Sequence, residues 1–217
     1  MAGYAMNKPL ISAALCALML LAACNMGAGG NASSGSDSVQ GELIGARIGA
    51  PFTLTDQDGK SVRWQDFDGK YRLVYFGYTY CPDVCPVDLQ RITQAFARFE
   101  KAEPALAAKV QPIFISVDPE RDTPAVLKTY VAAFHPRLIG LTGTPDQIAK
   151  VAKDFVVIYS REDAKGASDY LVSHSRTPYL FGMKGEPIAL VPVDDPSSPE
   201  DDGAPDKVLA ALQKWVK

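Results

Sequence analysis

Phe76-Gly-Tyr-Thr-Tyr-Cys81-Pro-Asp-Val-Cys85-Pro86 stands between two segments of different periodicity. Ahead of it, Tyr71-Arg72-Leu73-Val74-Tyr75 is rich in aromatic and branched residues, the composition of a buried strand. After it, Leu89, Ile92, Phe96 and Phe99 recur at helical spacing. Cys81 and Cys85 are therefore placed where a strand hands over to a helix. The first turn of a helix offers unpaired N–H groups and the positive end of the dipole, and both favour thiolate over thiol. If the turn is helical there, a spacing of four puts both sulfurs on one face, close enough for a disulfide or a shared metal ion. The pair taken alone leaves structural and chemical uses open. Against a structural bridge stand the strand-end position, the stiffening by Pro82 and Pro86, and the small loop entropy so short a ring would remove.

Working outward, Phe52–Thr55 and Ser61–Trp64 flank Asp56-Gln-Asp-Gly59 and predict an N-terminal β-hairpin. Val110–Val117 is an almost unbroken apolar run, hence a buried and parallel strand. Pro124 opens a helix through Phe134, with Asp122 or Thr123 placed to cap it, and Thr144-Pro145 opens another to about Asp154. Leu138–Leu141, Phe155–Tyr159, Asp169–Ser173, Thr177–Met183 and Ile188–Val193 read as strands, and Asp206–Val216 as a closing helix. Strand, helix, strand, helix, then a hairpin and a last helix is the order of a thioredoxin-like domain. The expected fold is α/β: a thioredoxin-like mixed β-sheet flanked by helices, with the N-terminal β-hairpin added.

The chain has 217 residues, 47% of them hydrophobic, enough for one substantial core. A net charge of −3 and the lack of any basic cluster exclude a nucleic-acid binder. Residues 1–23 read as a signal peptide: Lys8 gives the charge, Leu10–Leu21 the apolar run, Ala22-Ala23 the small residues. Leu21-Ala-Ala-Cys24 resembles a bacterial lipobox, whose cysteine is acylated and becomes the new N-terminus. Cys16 leaves with the leader and Cys24 is taken by lipid, so Cys81 and Cys85 are the remaining thiols. Residues 24–47 read as a flexible Gly/Ser/Ala-rich tether with a reach on the order of 25 Å. The folded domain is expected over 48–217.

Three segments together resemble the Sco/SenC family: the cysteine stretch quoted above, Ser116-Val-Asp118-Pro-Glu-Arg-Asp-Thr-Pro124, and Asp169-Tyr-Leu-Val-Ser-His174-Ser. The likeness runs from about Ile48 to Lys217. It implies a thioredoxin-like copper-binding protein that helps assemble the CuA centre of cytochrome c oxidase, with Cys81, Cys85 and His174 as copper ligands. Two thiolates and one imidazole form a soft set suited to Cu(I) and able to accept Cu(II), whereas a structural zinc site wants a fourth protein ligand. Ser173 stands where many relatives carry an acidic residue, and Tyr80 where many carry histidine. Asp118, at a strand end beside the cysteine loop, is the candidate for a residue behind the ligands; a helix N-terminal acid is the competing reading. His135 reads as a cap on the last carbonyls of a helix.

These observations support a membrane-tethered copper metallochaperone acting on an oxidase subunit that carries CuA, with another periplasmic copper chaperone or a thioredoxin-like reductase as a further partner. The alternative is a thiol–disulfide oxidoreductase in which Cys81 and Cys85 reduce the CuA cysteines. Either way the expected location is a bacterial cell membrane lipoprotein facing the periplasm. Asp194–Asp206 holds six carboxylates and no basic residue, which fits a solvated loop or a dock for a basic partner.

Overall fold

The structure, a computed structural model, describes residues 41–163, 170–195 and 197–217. The expected leader, Cys24, the tether up to residue 40 and Asp169 lie outside the described residues.

β1 (Thr53–Asp56) and β2 (Ser61–Arg63) form the N-terminal hairpin, with Leu54 opposite Val62. Its turn is closed by Asp56 Oδ1, which accepts from the backbone N–H of Asp58 and of Lys60 at 2.9 Å each. Gly59 takes φ +77° there, a conformation in which a side chain would be strained. A 3-10 turn at Trp64–Phe67 leads into β3 (Tyr71–Gly77), which is buried at every position. α1 (Val84–Ala102) and the short α2 (Pro104–Ala107) return the chain to β4 (Val110–Ser116), and β4 pairs in parallel with β3 along its length. α3 (Pro124–Ala132), β5 (Ile139–Thr142) and α4 (Pro145–Asp154) complete a second parallel crossover. β8 (Tyr179–Phe181) and β9 (Pro187–Leu190) add antiparallel strands on the other side of β3, and α5 (Pro205–Trp215) packs on α1. The sheet order is β2-β1-β5-β4-β3-β8-β9. This is the expected mixed sheet with flanking helices. Parallel strands need such helical crossovers, and the largely apolar β3 and β4, broken only by Arg72 and by Gln111 and Ser116, are buried on both faces.

Two readings of the sequence change. Phe155–Tyr159 is no strand: Phe155 ends α4, Val156 takes φ 58°, and the chain becomes extended only at β6 (Tyr159–Asp163). Phe155 is hydrophobic because its ring lies within 6.1 Å of Phe52 and 5.5 Å of Phe76, in the core. β6 and β7 (Tyr170–His174) also stay out of the main sheet and form a two-stranded sheet of their own, with Tyr159 opposite His174. Of the segment expected as tether, residues 41–47 lie beside β9, where Leu43 N–H donates to Ile188 O at 2.9 Å. No helix among the described residues is long and apolar enough to cross a membrane.

Because β3 and β4 are parallel, the loops leaving their carboxyl ends emerge side by side, and Val117 N–H donates to Gly77 O at 2.9 Å. In open α/β sheets this is the edge where ligand sites form.

Candidate metal centre

The loop leaving β3 is fixed before it reaches the cysteines. Thr79 donates its backbone N–H to Asp122 Oδ2 at 3.0 Å and its hydroxyl to Asp122 Oδ1 at 2.6 Å. Ser116, the last residue of β4, donates its hydroxyl to the same carboxylate at 2.5 Å. Asp122 is fully buried, and burial raises its pKa above the ordinary carboxylate value. It is not a helix cap. Thr123 takes that role, accepting from Val126 N–H, and Pro124 occupies the first helical turn.

α1 begins at Val84, so Cys85 lies in its first turn, and its backbone N–H points at Cys81 Sγ 3.4 Å away. Cys85 is fully buried, Cys81 half-buried, and both are free thiols. The pair is asymmetric. The thiol of Cys85 and the backbone N–H groups of Cys85 and Asp83 donate to Cys81, which is held well below the ordinary thiol pKa. Cys85 is pushed up, because it keeps the proton it donates to Cys81 and because it is buried. The half-buried sulfur thus favours the thiolate form and the buried one the thiol.

His174 arrives from the end of β7. Its Nε2 is 2.9 Å from Cys85 Sγ and its Nδ1 is 2.9 Å from Ser175 O. A carbonyl can only accept, so Nδ1 carries the hydrogen and Nε2 turns a lone pair towards the sulfurs. The ring is flanked edge-on by Tyr78 at 6.0 Å and Tyr75 at 6.4 Å. Tyr78 also ties the cysteine loop to β7: its hydroxyl oxygen accepts Val172 N–H at 3.2 Å.

Cys81, Cys85 and His174 are therefore brought together, and two thiols with one imidazole lone pair suit a soft ion. The arrangement is closed on protons. Among the described residues no group of three or more His, Cys, Asp or Glu side chains already stands as a metal-holding set. With the bond lengths that thiolate and imidazole make to zinc as a guide, two ligands of one ion lie about 3.6 Å apart. Cys85 Sγ and His174 Nε2, now 2.9 Å apart, must separate by roughly 0.7 Å, and Cys85 must give up its proton, for both to bind.

Asp118 does not reach the ligands. It is buried; its Oδ2 accepts from Arg121 Nε at 2.5 Å and its Oδ1 from the Tyr170 hydroxyl at 2.6 Å. It lies six positions before α3 and is not an acid of that helix's first turn. The Arg121 guanidinium it orients stacks on Tyr170 at 3.7 Å and on Tyr80 at 4.7 Å. Ser173 is exposed opposite Ser160, and Tyr80 is 54% exposed beside Cys81. His135 does not cap its helix: Nε2 pairs with Glu100 at 3.0 Å while Nδ1 accepts Arg137 N–H. The acidic loop is matched by bases from α1, with Arg91 on Asp201 at 3.0 Å and Arg98 on Asp206 at 2.6 Å, and by Lys207 just beyond it, on Asp202 at 2.8 Å.

Sequence reasoning missed a second buried cluster at the centre. Asp88, 2% exposed, accepts from Arg176 Nε at 2.9 Å and Nη2 at 2.8 Å, and from the Tyr75 hydroxyl at 3.1 Å. One signal was available. Asp88 falls three residues after Cys85, on the same face as Cys85, Leu89 and Ile92, and a carboxylate on a buried stripe needs a partner.

The family model described as SCO1/SenC matches residues 41–209. The mitochondrial protein SCO2 of Saccharomyces cerevisiae is 45% identical over 140 residues, covering 64% of this chain and 46% of that protein. A SCO2-like protein of Rickettsia felis is 38% identical over 156 residues, covering 71% of this chain and 73% of that protein. The structure of Bradyrhizobium japonicum ScoI with copper bound superposes with a TM-score of 0.66 at 39% identity, covering 78% of this chain and 99% of that one. The chain spans about half the length of the mitochondrial relatives it matches, 46% of the yeast protein and 50% of the bovine SCO2 homologue.

Proposed function

The chain belongs to the SCO1/SenC family, and on that premise we propose that it is a copper-binding protein of cytochrome c oxidase assembly, a metallochaperone that carries copper as cargo. One observation carries this reading: Cys81, Cys85 and the Nε2 lone pair of His174 converge at the carboxyl edge of the sheet. The structure of Bradyrhizobium japonicum ScoI with copper bound, 39% identical over 78% of this chain, supports it. Loading replaces the Cys85 proton, and the resulting low coordination leaves room for an acceptor's ligand before the donor lets go. The acceptor is the oxidase subunit that carries CuA. Cys24 acylation and the tether hold the domain at the outer face of the cell membrane, in the periplasm.

A second reading rests on the asymmetry of the cysteine pair. The Cys81 thiolate attacks one sulfur of an acceptor disulfide and the other leaves as thiolate. Cys85 then gives up its proton and attacks Cys81 Sγ, releasing the second acceptor thiol. The acceptor gains two electrons and this chain keeps a Cys81–Cys85 disulfide.

The two readings part at His174, which metal binding needs and dithiol exchange does not. His174→Ala is expected to lose Cu(II) binding and oxidase maturation at limiting copper while keeping disulfide exchange. Normal maturation by that variant overturns the metallochaperone reading. Serine at both Cys81 and Cys85 abolishes both activities, and unchanged copper stoichiometry in that variant overturns the ligand set.

A further inference from the structure

The segment between β7 and β8, residues 175–178, carries His174 at its start. On one side it is fixed to Ile158, the residue before β6: Ser175 N–H donates to Ile158 O at 2.8 Å, and Ser175 Oγ accepts Ile158 N–H at 3.0 Å. These bonds hold the strand end but do not reach α1, where the cysteines are. That span is bridged two residues after His174 and three residues after Cys85, by Arg176 and Asp88. The bridge meets α1 about one helical turn further along than the Cys85–His174 contact does.

We propose that Asp88 and Arg176 are positioning residues that fix the His174 imidazole relative to Cys85. This inference rests on the copper reading of the same site.

The geometry is that of a fork on a carboxylate: two N–H groups of one planar guanidinium meet both oxygens of Asp88, which fixes distance and rotation together. Asp88 is 1% exposed at its side chain and Arg176 22%, so the pair is shielded from solvent and salt. The third bond to Asp88, from the Tyr75 hydroxyl, holds a ring whose edge faces the imidazole 6.4 Å away. One carboxylate therefore sets both the loop behind His174 and a wall of its pocket. The pair adds no net charge, so what it supplies to a bound ion is geometry. Cu(II) needs the imidazole as a third donor, whereas two thiolates suffice for Cu(I). Loosening the fork therefore penalises Cu(II) selectively.

The test uses the full chain carrying Asp88→Asn, which keeps the shape and the Tyr75 contact, or Arg176→Lys, which keeps the charge but not the fork. Each variant is expected to bind Cu(II) about 10–100-fold more weakly, as for other partners behind metal ligands, with a shifted thiolate-to-copper absorption band. Cu(I) affinity, measured by competition, should stay within about threefold, since neither thiolate is touched. In the metal-free protein, 15N spectra of the imidazole should show a single Nδ1–H tautomer in the parent and averaged tautomers in both variants. Unchanged Cu(II) affinity and spectrum overturn the proposal. So do equal losses for Cu(I) and Cu(II), the pattern of a pair that only supports folding. If one variant fails to fold, the other decides. If the parent binds no copper, the copper reading fails, and the tautomer spectra still decide whether the fork positions His174.

Discussion

Cys85 Sγ and His174 Nε2 lie 2.9 Å apart although 89 positions separate them in the chain. The contact joins the first turn of a helix to the end of a strand that belongs to a different, smaller sheet. Each partner is held by its own local structure, Cys85 by α1 and the imidazole by Ser175 O.

Cys81 should react as a thiolate far below the pH at which an ordinary thiol does. Its pKa is lowered because Cys85 and nearby backbone N–H groups donate to it, so the charged form persists as pH falls. Between about pH 8 and about pH 6 an ordinary thiol loses roughly two orders of magnitude of thiolate. Iodoacetamide labelling of Cys81 in the reduced, metal-free protein should fall less than about twofold over that range. A slope matching a free thiol refutes the asymmetric pair.

Tyr78→Phe removes the acceptor of Val172 N–H and leaves that donor buried and unpaired. The expected loss is about 1–3 kcal/mol in urea unfolding. Hydrogen exchange should quicken at Val172 before it does in β3. A loss under about 0.5 kcal/mol means the bond does not anchor β7.

Asp122 fixes the sign of a pH effect. Its folded pKa is raised by burial above the unfolded value near 3.8, so its contribution is fully present below that value and is lost as pH rises through the folded pKa. The stability of the parent relative to Asp122→Asn should therefore increase on going from neutral pH to about pH 4. Denaturant curves of both proteins at the two pH values measure the difference. A difference that moves the other way contradicts a buried carboxylate with a raised pKa.

Cys24→Ala should abolish incorporation of labelled fatty acid and leave an unprocessed precursor. A diacylglycerol with an N-acyl chain exceeds the two signals needed for stable anchoring. Normal processing and membrane fractionation of this variant would exclude lipidation at Cys24.

Much of the fold was legible because its signals are local. Turn residues marked the β1–β2 hairpin, near-continuous apolar runs marked β3 and β4, and period-3.6 spacing marked α1. Thr123-Pro124 and Thr144-Pro145 announced two helix starts, and both threonines do cap. Phe155 misled because a core aromatic next to a helix end has the same composition as a strand residue.

The sequence by itself determined the chemistry that is available: two thiols at a helix start, a histidine near a strand end, and the family those segments resemble. Only the tertiary structure decided which groups meet. Thr79 and Asp122 are 43 positions apart, Arg176 and Asp88 are 88 apart, and Tyr78 and Val172 are 94 apart. Such pairs follow from the parallel register of β3 with β4 and from the placement of β7 against the cysteine loop. Local propensity encodes where a helix or strand begins. Which buried carboxylate receives which donor is settled only when the elements pack and every polar group enclosed by them must find a partner.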